Sequence, residues 1–163
     1  MGQNFTVSEC KTAEQQEAVY ILLEKHYTYL TPELIRSYGA TMLDEDWHML
    51  GVFDQGRCVA TLMYRIGTRF FAGKHVVHEA LYIDEAYRMN GLANLLFDWL
   101  EQHAQKQGCG LSLLYSYADN LPAHRFFYKR GFGIRGFVFF KEISPEAIGK
   151  PLKSGTMRLK KKG

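Results

Sequence analysis

Residues able to do chemistry concentrate in one stretch, Leu81-Tyr82-Ile83-Asp84-Glu85-Ala86-Tyr87-Arg88-Met89-Asn90-Gly91-Leu92-Ala93. There an apolar, strand-like run gives way to a loop of small residues and then to a helical pattern. Such a junction can bind anions. The first backbone N–H groups of a helix have no intrahelical partner, and with the helix dipole they offer a site for phosphate or pyrophosphate. Gly91 and Ala93 would let a ligand come close to the backbone. The Gly-Lys-Ser/Thr ending of a Walker loop and the three spaced glycines of a dinucleotide fingerprint are both missing. Spacing alone is a weak signal, because strand-turn-helix junctions are common and more often only structural. No Gly-x-Ser-x-Gly and no Cys/His nucleophile pair is recognisable, so the residues do not point to a covalent intermediate. His75 and His78 stand beside Glu79, but His-Glu-x-x-His is not completed because Tyr82 holds the last place. Two strand-surface histidines are expected there, and no metal site.

The elements that must position this stretch follow from hydrophobic period. Residues 3 to 10 alternate as a short half-buried strand. Thr12 offers a cap for a helix over about 13 to 28, with Val19, Leu22, Leu23, His26, Tyr27 and Leu30 on one face. Thr31-Pro32-Glu33 opens a second, short helix. Runs 47–54 and 57–67 are joined by Gln55-Gly56 as a hairpin. Residues 74–84 form a strand, and 91–107 a long helix with Leu92, Leu95, Leu96, Trp99, Leu100 and His103 on its apolar face, ended by Gly108. Residues 109–117 read as a buried strand, 121–130 as a helix ended by Gly131, and 132–143 as one or two strands of a closing hairpin. The order β-α-α-β-β-β-α-β-α-β favours a mixed sheet covered on both faces, with ligands where parallel strands part.

Composition sets the outer limits. The chain has 163 residues, 47% hydrophobic and 23% charged, the balance of one folded domain. The aromatic runs Phe70-Phe71, Phe126-Phe127-Tyr128 and Phe137-Val138-Phe139-Phe140 are expected in the core. The net charge of +3 hides an asymmetry: Lys150, Lys153, Arg158, Lys160, Lys161 and Lys162 crowd the C-terminus and leave the body net acidic. A solvated tail over 147–163 behind a single domain over 1–146 is the expectation, with neither nucleic acid nor membrane as partner. Cys10, Cys58 and Cys109 form no CxxC spacing and suggest neither a disulfide framework nor a zinc site. No apolar stretch is long enough for a membrane span, and a cytoplasmic location is expected.

A second motif lies downstream: Asn120-Leu-Pro-Ala123-His-Arg-Phe126-Phe127-Tyr128-Lys-Arg-Gly131-Phe132. Together with Arg88-x-x-Gly91-x-Ala93 after Leu81-Tyr82-Ile83, it resembles the GCN5-related N-acetyltransferase family. That family's patterns are Arg/Gln-x-x-Gly-x-Gly/Ala and Asn-x-x-Ala-x-x-Phe-Tyr-x-x-x-Gly-Phe. The resemblance covers about residues 3 to 143. It implies an α/β (α+β) fold whose mixed, mostly antiparallel sheet of six to seven strands is flanked by helices.

The resemblance also implies a reaction. An amine attacks the thioester of acetyl-CoA directly, with no metal and no acyl-enzyme. Backbone groups of Leu81, Tyr82 and Ile83 would pair with the pantetheine arm, an N–H near Ile83 would polarise the thioester carbonyl, and Arg88, Met89, Asn90, Gly91, Leu92 and Ala93 would hold the pyrophosphate. Asn120 would contact the cofactor. A primary amine is mostly protonated at neutral pH and needs a proton acceptor. Glu79, four residues before Ile83 and expected on the same strand face, is the candidate; a substrate-binding carboxylate or a salt bridge is the competing account. The family's usual tyrosine proton donor is replaced by Phe127. Tyr128, about 100° further round a helix, Tyr117 or a water could take over, with Tyr128 preferred. His124 and Arg125 could meet phosphates or form a solvated helix face. Tyr27, Tyr29 and Tyr38 fall where similar proteins build the acceptor pocket. Expected partners are acetyl-CoA and a small-molecule amine, with a homodimer through the last strands common among similar proteins. Acetylation of a protein, peptide or aminoacyl-tRNA, and a non-catalytic acyl-CoA-binding domain, are the alternatives.

Overall fold

A computed structural model of the chain describes residues 5–139, 141, 143 and 144. These fall in two compact units, one ending at Leu114 and one beginning at Tyr115. The basic segment 147–163 lies outside the described residues.

The first unit opens with strand β1 (Val7–Glu9) and helix α1 (Ala13–His26). Thr12 and Gln15 form a reciprocal capping box, so two orphan N–H groups at the start of α1 are satisfied by side chains. Helix α2 (Pro32–Asp44) begins with Thr31 accepting from Leu34 N–H and with Pro32 in the first turn. It runs for 13 residues and is not the short helix expected. Its apolar positions Ile35, Met42 and Leu43 carry it onto the core of α1. The two helices are tied by Arg36, which bonds Glu17 and, at 2.8 Å, Glu24. Gly39 is required there, because a Cβ would stand 2.3 Å from the Tyr20 ring.

Strands β2 (His48–Asp54), β3 (Arg57–Arg69) and β4 (Gly73–Ile83) follow, then helix α3 (Leu92–Lys106) and strand β5 (Leu111–Leu114). The β2–β3 turn has positive φ at both Gln55 (48°) and Gly56 (80°), the conformation that a two-residue hairpin needs. The sheet order is β1-β2-β3-β4-β5, antiparallel except for the parallel β4–β5 pair. Helices α1 and α2 pack over Met49, Cys58 and Met63. Residues Leu92, Leu96, Phe97, Leu100 and Ala104 of α3 are buried, with Phe97 against His78 and Trp99 against Tyr64. His78 and Tyr64 alternate with the residues that face α1, so the sheet is covered on both faces.

The second unit contains helix α4 (Leu121–Lys129), capped by Asn120 and followed by Gly131 at φ 86°. Phe127 meets Phe126 and Phe132 at 5.7 and 6.0 Å.

The sheet among the described residues therefore has five strands, not six to seven. The expected closing hairpin over 132–143 is absent over 132–139, while residues 140 and 142 lie outside the described set. A strand needs a ladder partner as well as an apolar pattern, and Gly133 and Gly136 weaken this one. The strand expected over 109–117 shortens to Leu111–Leu114 because Cys109 N–H closes the end of α3 on Ala104, at 2.9 Å. Several aromatic runs are not core: Phe70, Phe71, Phe137 and Phe139 are exposed. Phe70 and Phe71 sit in the β3–β4 connection, beyond the last ladder pair Arg69–Gly73.

Candidate active site

The site is built on a fault in the sheet. Thr61 pairs with Tyr82 and Met63 with Glu79, so Leu62 alone opposes both Ala80 and Leu81. This is a β-bulge, and Ala80 adopts φ 54° within it. A left-handed alanine costs about 1 kcal/mol or more. The bulge also resets the alternation of side chains. Met63 and Thr61 share a face of β3, so their partners Glu79 and Tyr82 share a face of β4, and Ile83 points to the other side. The expectation that Glu79 and Ile83 share a face is thus corrected.

The parallel ladder to β5 covers His75–His78 and stops at Leu114. Strand β4 runs on through Ile83 with no ladder partner on that edge among the described residues. Asp84 N–H bonds the Val59 carbonyl on the β3 side, at 2.9 Å. Backbone direction alternates along an extended chain, so the Ile83 N–H points to the open edge.

Glu79 is accessible to solvent, yet the protein around it desolvates its carboxylate and raises its pKa above the ordinary 4.5; burial is the one cause. On the same face the Tyr82 ring meets His26 at 4.9 Å, and the Arg88 guanidinium lies 5.9 Å from the Tyr82 ring centre. Burial first, and the charge of Arg88 second, lower the His26 pKa below 6.5, leaving a neutral imidazole at neutral pH. His26 also meets Tyr27, which in turn meets Tyr29. Sequence reasoning placed His26 on the apolar face of a helix but did not single it out for the site. A polar ring among apolar positions at the end of that helix was the available signal.

Beyond Ile83 the chain is pinned before it reaches α3. Asp84 is buried, receives Lys25 Nζ at 2.7 Å and caps the 3-10 turn Glu85–Tyr87 through Ala86 N–H at 3.1 Å. Those bonds hold its pKa below 3.8, led by the one from Lys25. Tyr87 bonds Asp54 through its hydroxyl and carries Arg57 over its ring at 5.4 Å. Asn90 folds its amide back to donate to the Tyr87 and Arg88 carbonyls at 3.2 and 3.4 Å. Met89 (φ 64°) and Gly91 (φ 76°) are both left-handed. Gly91 is the N-cap of α3 and makes no side-chain cap bond, there is no acid in the first turn, and a Cβ on Gly91 would meet nothing within 4 Å. The start of α3 at Leu92 and Ala93 therefore presents uncapped amides to an open approach.

In the second unit, the Asn120 side chain accepts from Ala123 N–H at 3.4 Å and so caps α4. Phe127 turns toward Phe126 and Phe132, whereas Tyr128 and Tyr117 are exposed. The His124 imidazole donates to the Tyr117 carbonyl at 2.9 Å, and Arg125 is exposed. The first unit thus gathers Glu79, Leu81, Tyr82, Ile83 and Arg88 to Ala93, while Asn120, Tyr117 and Tyr128 belong to the second.

His75 and His78 are not surface residues; each is 2% exposed. Their odd spacing sends them to opposite faces of β4. His75 bonds the Gly73 carbonyl through Nδ1 at 3.0 Å, and burial against Phe97 lowers the His78 pKa to about 4. No group of three or more potential metal ligands occurs among the described residues. The three cysteines are free, and no helix among the described residues is long and apolar enough to cross a membrane.

No curated protein matches the chain by sequence. Solved structures match its fold. An aminoglycoside N-acetyltransferase, AAC(6')-Iy, in complex with CoA superposes with a TM-score of 0.77 at 13% identity, covering 88% of this chain and 98% of that one. Glucosamine-6-phosphate N-acetyltransferase from Arabidopsis thaliana gives 0.68 at 18% identity, over 87% and 100%. Aminoglycoside antibiotic 6'-N-acetyltransferase AAC(6')-IG from Acinetobacter haemolyticus gives 0.69 at 18%, over 85% and 99%. A family model described as Acetyltransferase (GNAT) family matches residues 12–132, which takes in the bulged strand, the α3 start and α4. The chain belongs to the acetyltransferase (GNAT) family.

Proposed function

We propose that this protein moves the acetyl group of acetyl-CoA directly to a primary amine of a small molecule. The observation that carries the reading is the bulge at Ala80-Leu81, which leads a strand edge with no ladder partner among the described residues straight into the uncapped start of α3. An extended amide-bearing arm can pair along Leu81 to Ile83, and the pyrophosphate behind it can lie on Met89, Asn90, Gly91, Leu92 and Ala93, with Arg88 adding charge. Asn120 is proposed to contact the cofactor while it caps α4.

Glu79 takes the proton from the acceptor ammonium, directly or through water. Its raised pKa, caused by desolvation, makes it a better base than an ordinary carboxylate. The freed amine adds to the thioester carbon, the carbonyl oxygen takes up negative charge facing the Ile83 N–H, and the C–S bond then breaks. Tyr128 gives a proton to the departing thiolate, and the nitrogen sheds its remaining extra proton through water, which restores the phenol. The solved acetyltransferases of the same fold, one named for an amino sugar phosphate and two for aminoglycosides, favour a small-molecule acceptor. Mass spectrometry of a panel of polyamines, amino acids, aminoglycosides and peptides incubated with acetyl-CoA tests the reading. A mass gain of one acetyl group on a small amine is expected; acetylation of peptides alone would overturn the small-molecule assignment.

A further inference from the structure

We infer that the acceptor amine carries an anionic group, a carboxylate or phosphate, which docks on Arg65; this rests on the acetyl-transfer reading above and narrows its substrate class. An open groove of about 320 Å³ is lined by Glu45, Asp46, Arg65, Arg69, His75 and Val77, among others. It continues the catalytic face of the sheet. Arg65 pairs with Val77 and Met63 with Glu79, so Arg65 and Val77 stand on the face that carries Glu79, one two-residue step away. That step is roughly 7 Å along the strand.

Arg65 is set up as a receptor. Its guanidinium lies 5.5 Å from the centre of the Trp47 ring, half-buried, and no protein carboxylate or other acceptor meets its N–H groups among the described residues. Cation–π attraction holds a guanidinium over an aromatic face and leaves N–H groups available for a bidentate anion. Glu45 and Asp46 stand exposed where α2 ends, and Asp46 Oδ1 lies 3.6 Å from His48 Nε2. The groove thus holds charges of both signs, with the guanidinium held over Trp47 next to the strand that carries Glu79. An acceptor with its ammonium at Glu79 and its anion at Arg65 would span the two.

The test compares ε-aminohexanoate and aminopentyl phosphate with hexylamine, by turnover and by calorimetric binding. Acid-bearing amines should have kcat/KM about tenfold or more above hexylamine, mostly through KM, as expected for charge-assisted bonds. Arg65→Gln should erase that preference and Arg65→Lys recover part of it, with melting curves checking that both variants fold. Equal kcat/KM for hexylamine and both acids overturns the inference while leaving acetyl transfer intact. Arg65-dependent binding of the acids without acetylation upholds the groove and overturns the reaction. Absence of both binding and turnover overturns both.

Discussion

Glu79 and His78 are neighbours on one strand with opposite electrostatic fates, and each gives a measurement. Desolvation raises the Glu79 pKa, so kcat/KM should rise with pH along an acid limb lying above the ordinary 4.5. Removing a general base by Glu79→Gln should lower kcat roughly a hundredfold or more and abolish that limb; a variant with an unchanged profile would move the base elsewhere. His78 is buried as the neutral imidazole, with a pKa of about 4 against an ordinary 6.5. The unfolded chain then binds the proton first as pH falls, so stability is full above 6.5 and is lost progressively toward pH 4. His78→Phe should flatten the acid loss in urea denaturation across that window. If the variant loses stability as steeply as the parent, His78 is not the group responsible. The identity of Glu79 as a candidate was legible in the sequence. Its face was not, because a bulge adds one residue to the count and reverses every side chain beyond it.

At the scale of elements, the strand-loop-helix junction does the positioning, and its start was plain in the sequence from Gly91 and Ala93. The pins were not. Lys25 of α1 is distant in sequence from Asp84, and Asp54 from Tyr87, so only packing of α1 on the sheet and pairing of the strands bring these residues together. Gly91 offers a sharp test of the α3 start. Gly91→Asp supplies a side-chain cap but places a carboxylate where a pyrophosphate is proposed to lie. Against glycine the cap gain is only a few tenths of a kcal/mol, whereas the left-handed strain is about 1 kcal/mol. Melting should therefore fall modestly, while the Kd for CoA rises tenfold or more in calorimetry. Unchanged affinity would take the pyrophosphate away from α3.

For the whole molecule, hydrophobic period and turn chemistry located nine of the elements, including both helices that sandwich the sheet with α3 and the hairpin at Gln55-Gly56. Alternating aromatics at 137–139 looked like a strand and are exposed instead, since pattern cannot supply a ladder partner. His75 and His78 looked like surface residues for the opposite reason: a strand covered on both faces buries either parity. The open edge of β4 and the start of α3 are proposed to form one acetyl-CoA site, and backbone amide NMR during titration with acetyl-CoA can follow both at once. Saturable shifts should concentrate at Leu81, Ile83 and Met89 to Ala93; saturation of the protein with those amides unmoved would contradict the account.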